Sequence, residues 1–197
     1  MLLPLNKLIK DFDLEIRGVL HIGAHYGEEV NAYAKAGIKN ALFFEPVKSN
    51  FTKLPAGIVA YNIALGNETG TREMYIETAN HGQSCSFLKP ELHLIQYPKI
   101  TFNSVEIVKI DKLDNITFDR YMYNMINIDV QGFELEVFKG GCETLKKVDI
   151  IYTEVNRAEV YKGCVRVEEL DEYLCDFERV VTLWTGDTWG DALYLRK

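Results

Sequence analysis

Three short apolar runs, Val19-Leu20-His21-Ile22, Ala41-Leu42-Phe43-Phe44 and Ile58-Val59-Ala60-Tyr61-Asn62-Ile63, are separated by amphipathic stretches. Runs this short, bounded by turn formers, are buried strands, and the stretches between them are long enough to cover a sheet with helices. The first gap reads as a helix from Gly27 to about Ala36, with Glu28 and Glu29 in its first turn and Gly37 ending it. The second is entered through Glu45-Pro46 and runs to about Leu54. The result is βαβαβ, the pattern of a parallel sheet flanked by helices.

Gly66 to Gly70 is rich in turn formers, and Arg72 to Ile76 alternates like an edge or hairpin strand. Residues 78–98 read as loop with some helix, and Ser104 to Ile110 as a strand by alternation. Met125 to Asp129 is a buried strand entering the turn Val130-Gln131-Gly132, followed by a helix from Phe133 to Lys139 closed by Gly140-Gly141. Asp149 to Val155 is a further strand and Val167 to Cys175 a further helix. The last two apolar runs, Arg179 to Trp184 and Asp191 to Leu195, lie too close for a parallel crossover and must form a hairpin. The expected fold is α/β and Rossmann-like: a mostly parallel seven-stranded sheet with an antiparallel terminal hairpin and helices on both faces.

At 197 residues the chain suits one domain, expected over 18–197, with an amphipathic helix in 1–17 carrying Leu5, Leu8, Ile9 and Phe12 at helical spacing. That segment lacks the uninterrupted apolar centre of a signal peptide, and no run is long enough to span a bilayer, so a cytoplasmic protein without a membrane partner is expected. A net charge of −7 argues against a nucleic-acid partner. Cys85, Cys142, Cys164 and Cys175 show neither C-x-x-C pairing nor histidines at metal-site spacing, and read as reduced thiols. Trp184 and Trp189 flank the last turn and read as packing residues or as a homodimer contact.

In an open α/β sheet, ligands bind beyond the carboxyl ends of the strands, where strand order reverses. Gly23-Ala24-His25-Tyr26-Gly27 falls at such an end, and its glycines let the main chain turn sharply beside a ligand. Glu45 closes the second strand at about the 20-residue offset from which an acid reaches ribose hydroxyls. Dinucleotide binding would prefer glycine where His25 stands, and no G-x-x-x-x-G-K-[ST] loop occurs. A ribose without phosphates fits better, which points to S-adenosylmethionine. The alternatives are an NAD-type oxidoreductase, disfavoured by His25 and by the terminal hairpin, and a non-catalytic S-adenosylmethionine-binding protein.

Several segments together resemble the FkbM family of S-adenosylmethionine-dependent methyltransferases: VLHIGAHYGEE, FFEP, NIALGNETGTREMY, INIDVQGFELEVFKGG, IIYTEVN and DALYLRK, in order across roughly residues 18–196. The resemblance implies a class I methyltransferase fold, with His21, Gly23, Ala24, His25 and Gly27 lining the methionine and ribose side of the cofactor. Glu45, beside Pro46, would accept from the ribose hydroxyls, Asn62, Ile63 and Ala64 would border the adenine, and Asp129 with Val130 would lie near the sulfonium. Two positions depart from the pattern. Such enzymes usually carry an acid where His21 stands and Glu where Gln131 stands; His21 would either accept through a neutral nitrogen or pack with its ring bonded to main chain.

The implied reaction is O-methylation of a hydroxyl on a sugar or other small molecule. Asp129 is the first candidate to orient or deprotonate the acceptor, and Glu154, at the end of the next strand, the second. Ser84, Gln131, Glu134 and Asn156 are candidate acceptor contacts, and the loop NHGQSCSFLKP, with His81, Gln83 and Ser86, a candidate cover. Tyr97, Phe102 and Tyr161 are candidates for the acceptor pocket wall. Asp129, Glu154 and Asn156 also form a hard-oxygen set suited to Mg²⁺ or Ca²⁺.

Overall fold

The computed structural model describes residues 1–197. Helix α1 (Leu5–Phe12) leads into β1 (Gly18–Ile22), α2 (Val30–Lys35), β2 (Asn40–Phe44), α3 (Lys48–Phe51) and β3 (Val59–Tyr61). Then come β4 (Ala64–Leu65), β5 (Gly70–Glu77), α4 (Leu92–Gln96) and β6 (Phe102–Asp111). The remainder is β7 (Met125–Ile128), α5 (Glu134–Lys139), α6 (Cys142–Leu145), β8 (Ile150–Asn156), α7 (Val167–Tyr173), β9 (Phe177–Thr185) and β10 (Trp189–Arg196).

Seven strands form one sheet in the order β3-β2-β1-β7-β8-β10-β9. The first five are parallel, whereas β10 runs antiparallel to both β8 and β9. Strand order reverses between β1 and β7, so their carboxyl ends open the crevice in which such sheets bind ligands.

Strand parity splits the core in two. Leu20, Ile22, Leu42, Phe44, Ile126 and Ile128 face a cluster of 29 buried residues shared with α5, α6, α7 and the smaller sheet. Val19, Phe43, Met125 and Tyr152 face a cluster of 11 that takes in Leu5 and Leu8 of α1 and Tyr33 of α2. Burying each large apolar side chain is worth about 1.5–3 kcal/mol, so the register is strongly held. The same parity sets His21 against Tyr33 and Phe43.

Both early helices are shorter than the sequence suggests. Gly27 has φ 78° and its N–H closes a turn on the Ala24 carbonyl at 2.7 Å, so α2 begins only at Val30 and leaves Glu28 and Glu29 ahead of it. Pro46 likewise precedes α3, because Val47 is still extended. Only three residues of the third apolar run stay in the main sheet; Ala64 and Leu65 leave it to pair with β6 in a separate sheet ordered β4-β6-β5. β5 and β6 pair antiparallel across residues 78–101, much of which is irregular. No helix is long and apolar enough to cross a membrane.

Candidate active site

Glu45 stands at the end of β2 with 4% of its surface exposed. Its Oε2 accepts from the His25 N–H at 2.8 Å and its Oε1 from the Val47 N–H at 2.9 Å. Each oxygen keeps a second lone pair for a further donor. Burial pushes the acid up to about 7 in spite of these bonds. Asn62 lines neither cavity of the crevice; its Nδ2 donates to the carbonyls of Glu45 and Pro46 at 2.8 and 2.9 Å and fixes that turn from behind. Pro46, Ile63, Ala64 and Val130 join Glu45 around the smaller, apolar cavity.

Gly23 lies where the two cavities meet. Its φ is 82°, and a Cβ there would overlap the Asp129 carbonyl oxygen, so only glycine lets the ends of β1 and β7 approach. Gly27 lines neither cavity and serves the turn alone. His25 also has positive φ, and its ring stacks on Tyr26 with centroids 3.7 Å apart. Nδ1 lies 2.6 Å from Glu28 Oε1 and Nε2 2.9 Å from the His81 carbonyl oxygen. A carboxylate and a carbonyl only accept, so both ring nitrogens donate and the ring is an imidazolium. Burial alone would lower its pKa, but the bonds to Glu28 and His81 outweigh burial and hold it above the ordinary value. Tyr26 donates to the same carbonyl at 2.8 Å, and Lys53 donates to the Tyr26 hydroxyl at 2.7 Å. The His81 segment is thereby clasped over the crevice, with Gln83 lining both cavities and Ser84 the larger one. Ser86 faces inward and donates to the Gln131 carbonyl.

The larger cavity, 570 Å³, is lined by His21, Ala24, Asp129, Gln131, Glu154 and Asp191 and by the aromatic side chains of Tyr97, Tyr161 and Trp189. Gln131 Oε1 accepts from Tyr161 at 2.8 Å, which turns Nε2 toward Asp129 Oδ1 at 2.7 Å and Glu154 Oε2 at 3.1 Å. One oxygen each from Asp129, Glu134 and Glu154 lie within 4.8 Å of one another. Carboxylates this close cannot all ionise. Glu134 is lifted to about 7 by burial and then by Asp129, and Glu154 well above its ordinary value by burial and the neighbouring acids. Asp129 opens to the cleft yet sits at its floor; that enclosure and then the charge of Asp191 lift it to about 6. A glutamate at position 131 would add a fourth carboxyl to a cluster that already cannot fully ionise, whereas Gln131 supplies a neutral donor between two of the three.

Glu134 and Asn156, expected at the acceptor, are fully buried and line neither cavity. Glu134 turns inward because the 130–132 turn has N–H groups to satisfy: Oε1 accepts from Val130 and Gly132, each at 3.1 Å, and Oε2 has no partner. Asn156 is paired across the ladder with Trp189 of β10 and has none of its surface exposed. Trp189 itself is part of the cleft wall, its Nε1 donating to Tyr97 at 2.9 Å. Phe102 packs beside His93 and lines neither cavity. Residues that the sequence reading missed are Asp191, which accepts from the Tyr152 hydroxyl and from the Leu2 N–H, and the buried partners of His21 described below. Asp191 stands opposite Glu154 only through the antiparallel register of β10 on β8, which no local pattern announces.

A last strand inserted antiparallel beside the fifth parallel one, with a nucleoside-type carboxylate one strand from the switch point, places the chain among Rossmann-like S-adenosylmethionine-dependent methyltransferases. The methyltransferase FkbM domain matches residues 21–180, and the chain belongs to that family. It is 27% identical over 190 residues to the 2-O-methyltransferase NoeI of Sinorhizobium fredii (strain NBRC 101917 / NGR234), covering 89% of this chain and 77% of that one. In fold it is similar to an S-adenosylmethionine-dependent methyltransferase of Clostridium acetobutylicum ATCC 824 (TM-score 0.51, 8% identity, 97% of this chain and 88% of that one). It is also similar to Streptococcus pneumoniae Sp1610 solved in complex with S-adenosyl-L-methionine (TM-score 0.50, 15% identity, 96% and 71%). The chain spans 61% to 88% of the length of the solved chains that it resembles. Family membership removes the NAD-type oxidoreductase alternative.

Proposed function

We propose that this methyltransferase acts on a hydroxyl of a sugar or other small molecule, with Asp129 taking the hydroxyl proton and Glu154 orienting the acceptor. The observation that carries the reading is the position of Asp129, which lines both cavities at their junction. On one side Glu45 has lone pairs free for ribose hydroxyls, and Pro46, Ile63 and Ala64 offer an apolar seat for a base. S-Adenosylmethionine supplies a methyl group activated on a sulfonium, with a neutral leaving group. On the other side, in the larger cavity, Tyr97, Tyr161 and Trp189 provide aromatic surface in the same lining as Glu154 and Asp191, a setting for a molecule with both apolar faces and hydroxyls. The acids draw a cation and repel a polyanion, so a nucleic acid is a poor acceptor here. Holding acceptor and cofactor in line contributes most of the rate, and a base whose pKa is raised toward working pH contributes proton removal. The name of the NoeI relative, a 2-O-methyltransferase, supports an oxygen acceptor.

S-Adenosylhomocysteine release, measured with a panel of saccharides and phenols, is expected from the wild type and lost in Asp129→Asn. Tight S-adenosylhomocysteine binding with no release for any acceptor would instead leave a non-catalytic cofactor binder. A second reading is favoured by Glu134 Oε2, buried without a partner beside Asp129 and Glu154: the three carboxylates suit Mg²⁺ or Ca²⁺, whose arrival would displace Gln131 Nε2. Activity abolished by EDTA and restored by Mg²⁺ supports that reading, and EDTA-resistant activity supports the metal-free one.

A further inference from the structure

His21 lies buried on β1, and its surroundings fix which nitrogen bears the hydrogen. Asn127 Nδ2 donates to the Tyr33 hydroxyl at 2.6 Å. The Tyr33 hydroxyl makes no other side-chain hydrogen bond than this one and one to His21, so its single buried hydrogen finds an acceptor only at His21 Nδ1, 2.9 Å away. All three side chains are buried between α2 and the sheet. Burial, against the pull of Glu29, pushes the His21 pKa down to about 4, so the ring is neutral and its hydrogen is on Nε2. Nε2 has no hydrogen-bond partner; Glu29 Oε2, at 3.8 Å, is beyond bonding distance. The ring edge faces the larger cavity beside Gly23 and Ala24.

The location says what Nε2 can meet. A nucleoside held by Glu45 extends its 5′ substituent past Gly23 into the larger cavity, where His21 is a neutral donor among acids and the Met1 ammonium, 3.0 Å from Glu29 Oε1, is a charged one. An acid at this position would accept from an ammonium. A donor with its tautomer locked favours a carboxylate instead. We propose that His21 Nε2–H donates to the carboxylate of the cofactor's amino-acid portion, leaving its ammonium to the acidic side chains nearby, and that Tyr33 and Asn127 are positioning residues for that donor. This rests on the S-adenosylmethionine reading and adds a selectivity to it: the site discriminates against ligands lacking the carboxylate.

Calorimetry with two probes tests it: S-adenosylhomocysteine, and its decarboxylated analogue, which keeps the amine. Wild type is expected to bind the first at least about 10-fold more tightly, the value of a hydrogen bond to a charged group. His21→Phe keeps an aromatic ring and removes the donor; it is expected to lose that preference by weakening S-adenosylhomocysteine alone. Tyr33→Phe frees the tautomer, so the preference narrows and the histidine side-chain ¹⁵N spectrum loses its pure Nε2–H signature. A wild type that binds both probes equally overturns the proposal while leaving the cofactor reading intact. Equal weakening of both probes in His21→Phe, or an unchanged preference in Tyr33→Phe, also overturns it, by assigning His21 to packing alone. Failure of wild type to bind either probe overturns the cofactor reading together with the proposal.

Discussion

Replacing Glu45 by Gln separates what the carboxylate does for the ligand from what it does to the fold. In the ligand-free protein the acid is buried and its pKa rises from 4.5 to about 7. Because the folded value is raised, the stability associated with this group is fully present below about pH 4.5 and lost as pH rises through 7, an effect on the order of 3 kcal/mol. Glu45→Gln cannot ionise, but it turns an NH₂ toward one of the two backbone donors, His25 N–H or Val47 N–H, at a cost of about 1–3 kcal/mol. The variant should therefore be less stable than wild type near pH 5 and about equal near pH 8. Its ligand affinity should fall most near pH 8, where charge-assisted bonds to ribose become neutral or absent, by about 2–4 kcal/mol, or roughly 30- to 1,000-fold in Kd, and by less near pH 5, where the wild-type acid of the free protein is itself neutral. Urea melts at the two pH values and calorimetry with S-adenosylhomocysteine read these effects separately. A variant that binds within about threefold of wild type near pH 8, or a wild type whose stability advantage over the variant does not shrink with rising pH, would refute the reasoning.

Asp129→Asn should lower kcat by about 10²–10⁴ with S-adenosylhomocysteine affinity nearly unchanged, and the wild-type rate should climb through about pH 6 as Asp129 ionises; a flat profile counts against Asp129 as base. Gly23→Ala should prevent folding or cofactor binding, since its Cβ meets the Asp129 carbonyl, whereas Gly37→Ala, at similar φ with open space around it, should lose only about 1 kcal/mol by thermal melt. Gln131→Glu places a further carboxyl beside Asp129 and Glu154; it should match wild type near pH 5 and be destabilised by roughly 2 kcal/mol near pH 8, as read by urea melts at the two pH values. The His25 clasp holds best while the ring is charged, so its contribution is full below about pH 6.5 and lost as pH rises through the elevated folded value; Glu28 and Glu45 favour the charge and Lys53 opposes it. Amide exchange over residues 79–84, corrected for intrinsic base catalysis, should accelerate across that range.

The apolar runs of β1, β2, β7 and β8 were legible in the sequence because a strand buried on both faces needs nothing but consecutive apolar residues. The terminal hairpin was legible because a short connection forbids a crossover, and Gly23 and Glu45 because a tight turn and a ribose acid have fixed places in such a sheet. The true start of α2 was hidden, since Gly27 looks like a helix residue until its positive φ is known. Glu134 and Asn156 looked like cleft residues because proximity to a strand end does not reveal which way a polar side chain turns; the N–H groups at 130 and 132 draw Glu134 inward, and Asn156 is buried where it pairs with Trp189 of β10. Asp191 joined the acids through register alone, and the hydrogen on His21 was placed by Tyr33 and Asn127, residues distant in sequence but adjacent in the core. The sequence by itself determined the layers and the backbone turns, which follow from local periodicity and sterics. Only the tertiary structure decided protonation and polarity at the site, because these depend on which charges and hydrogen bonds converge in one low-dielectric cleft.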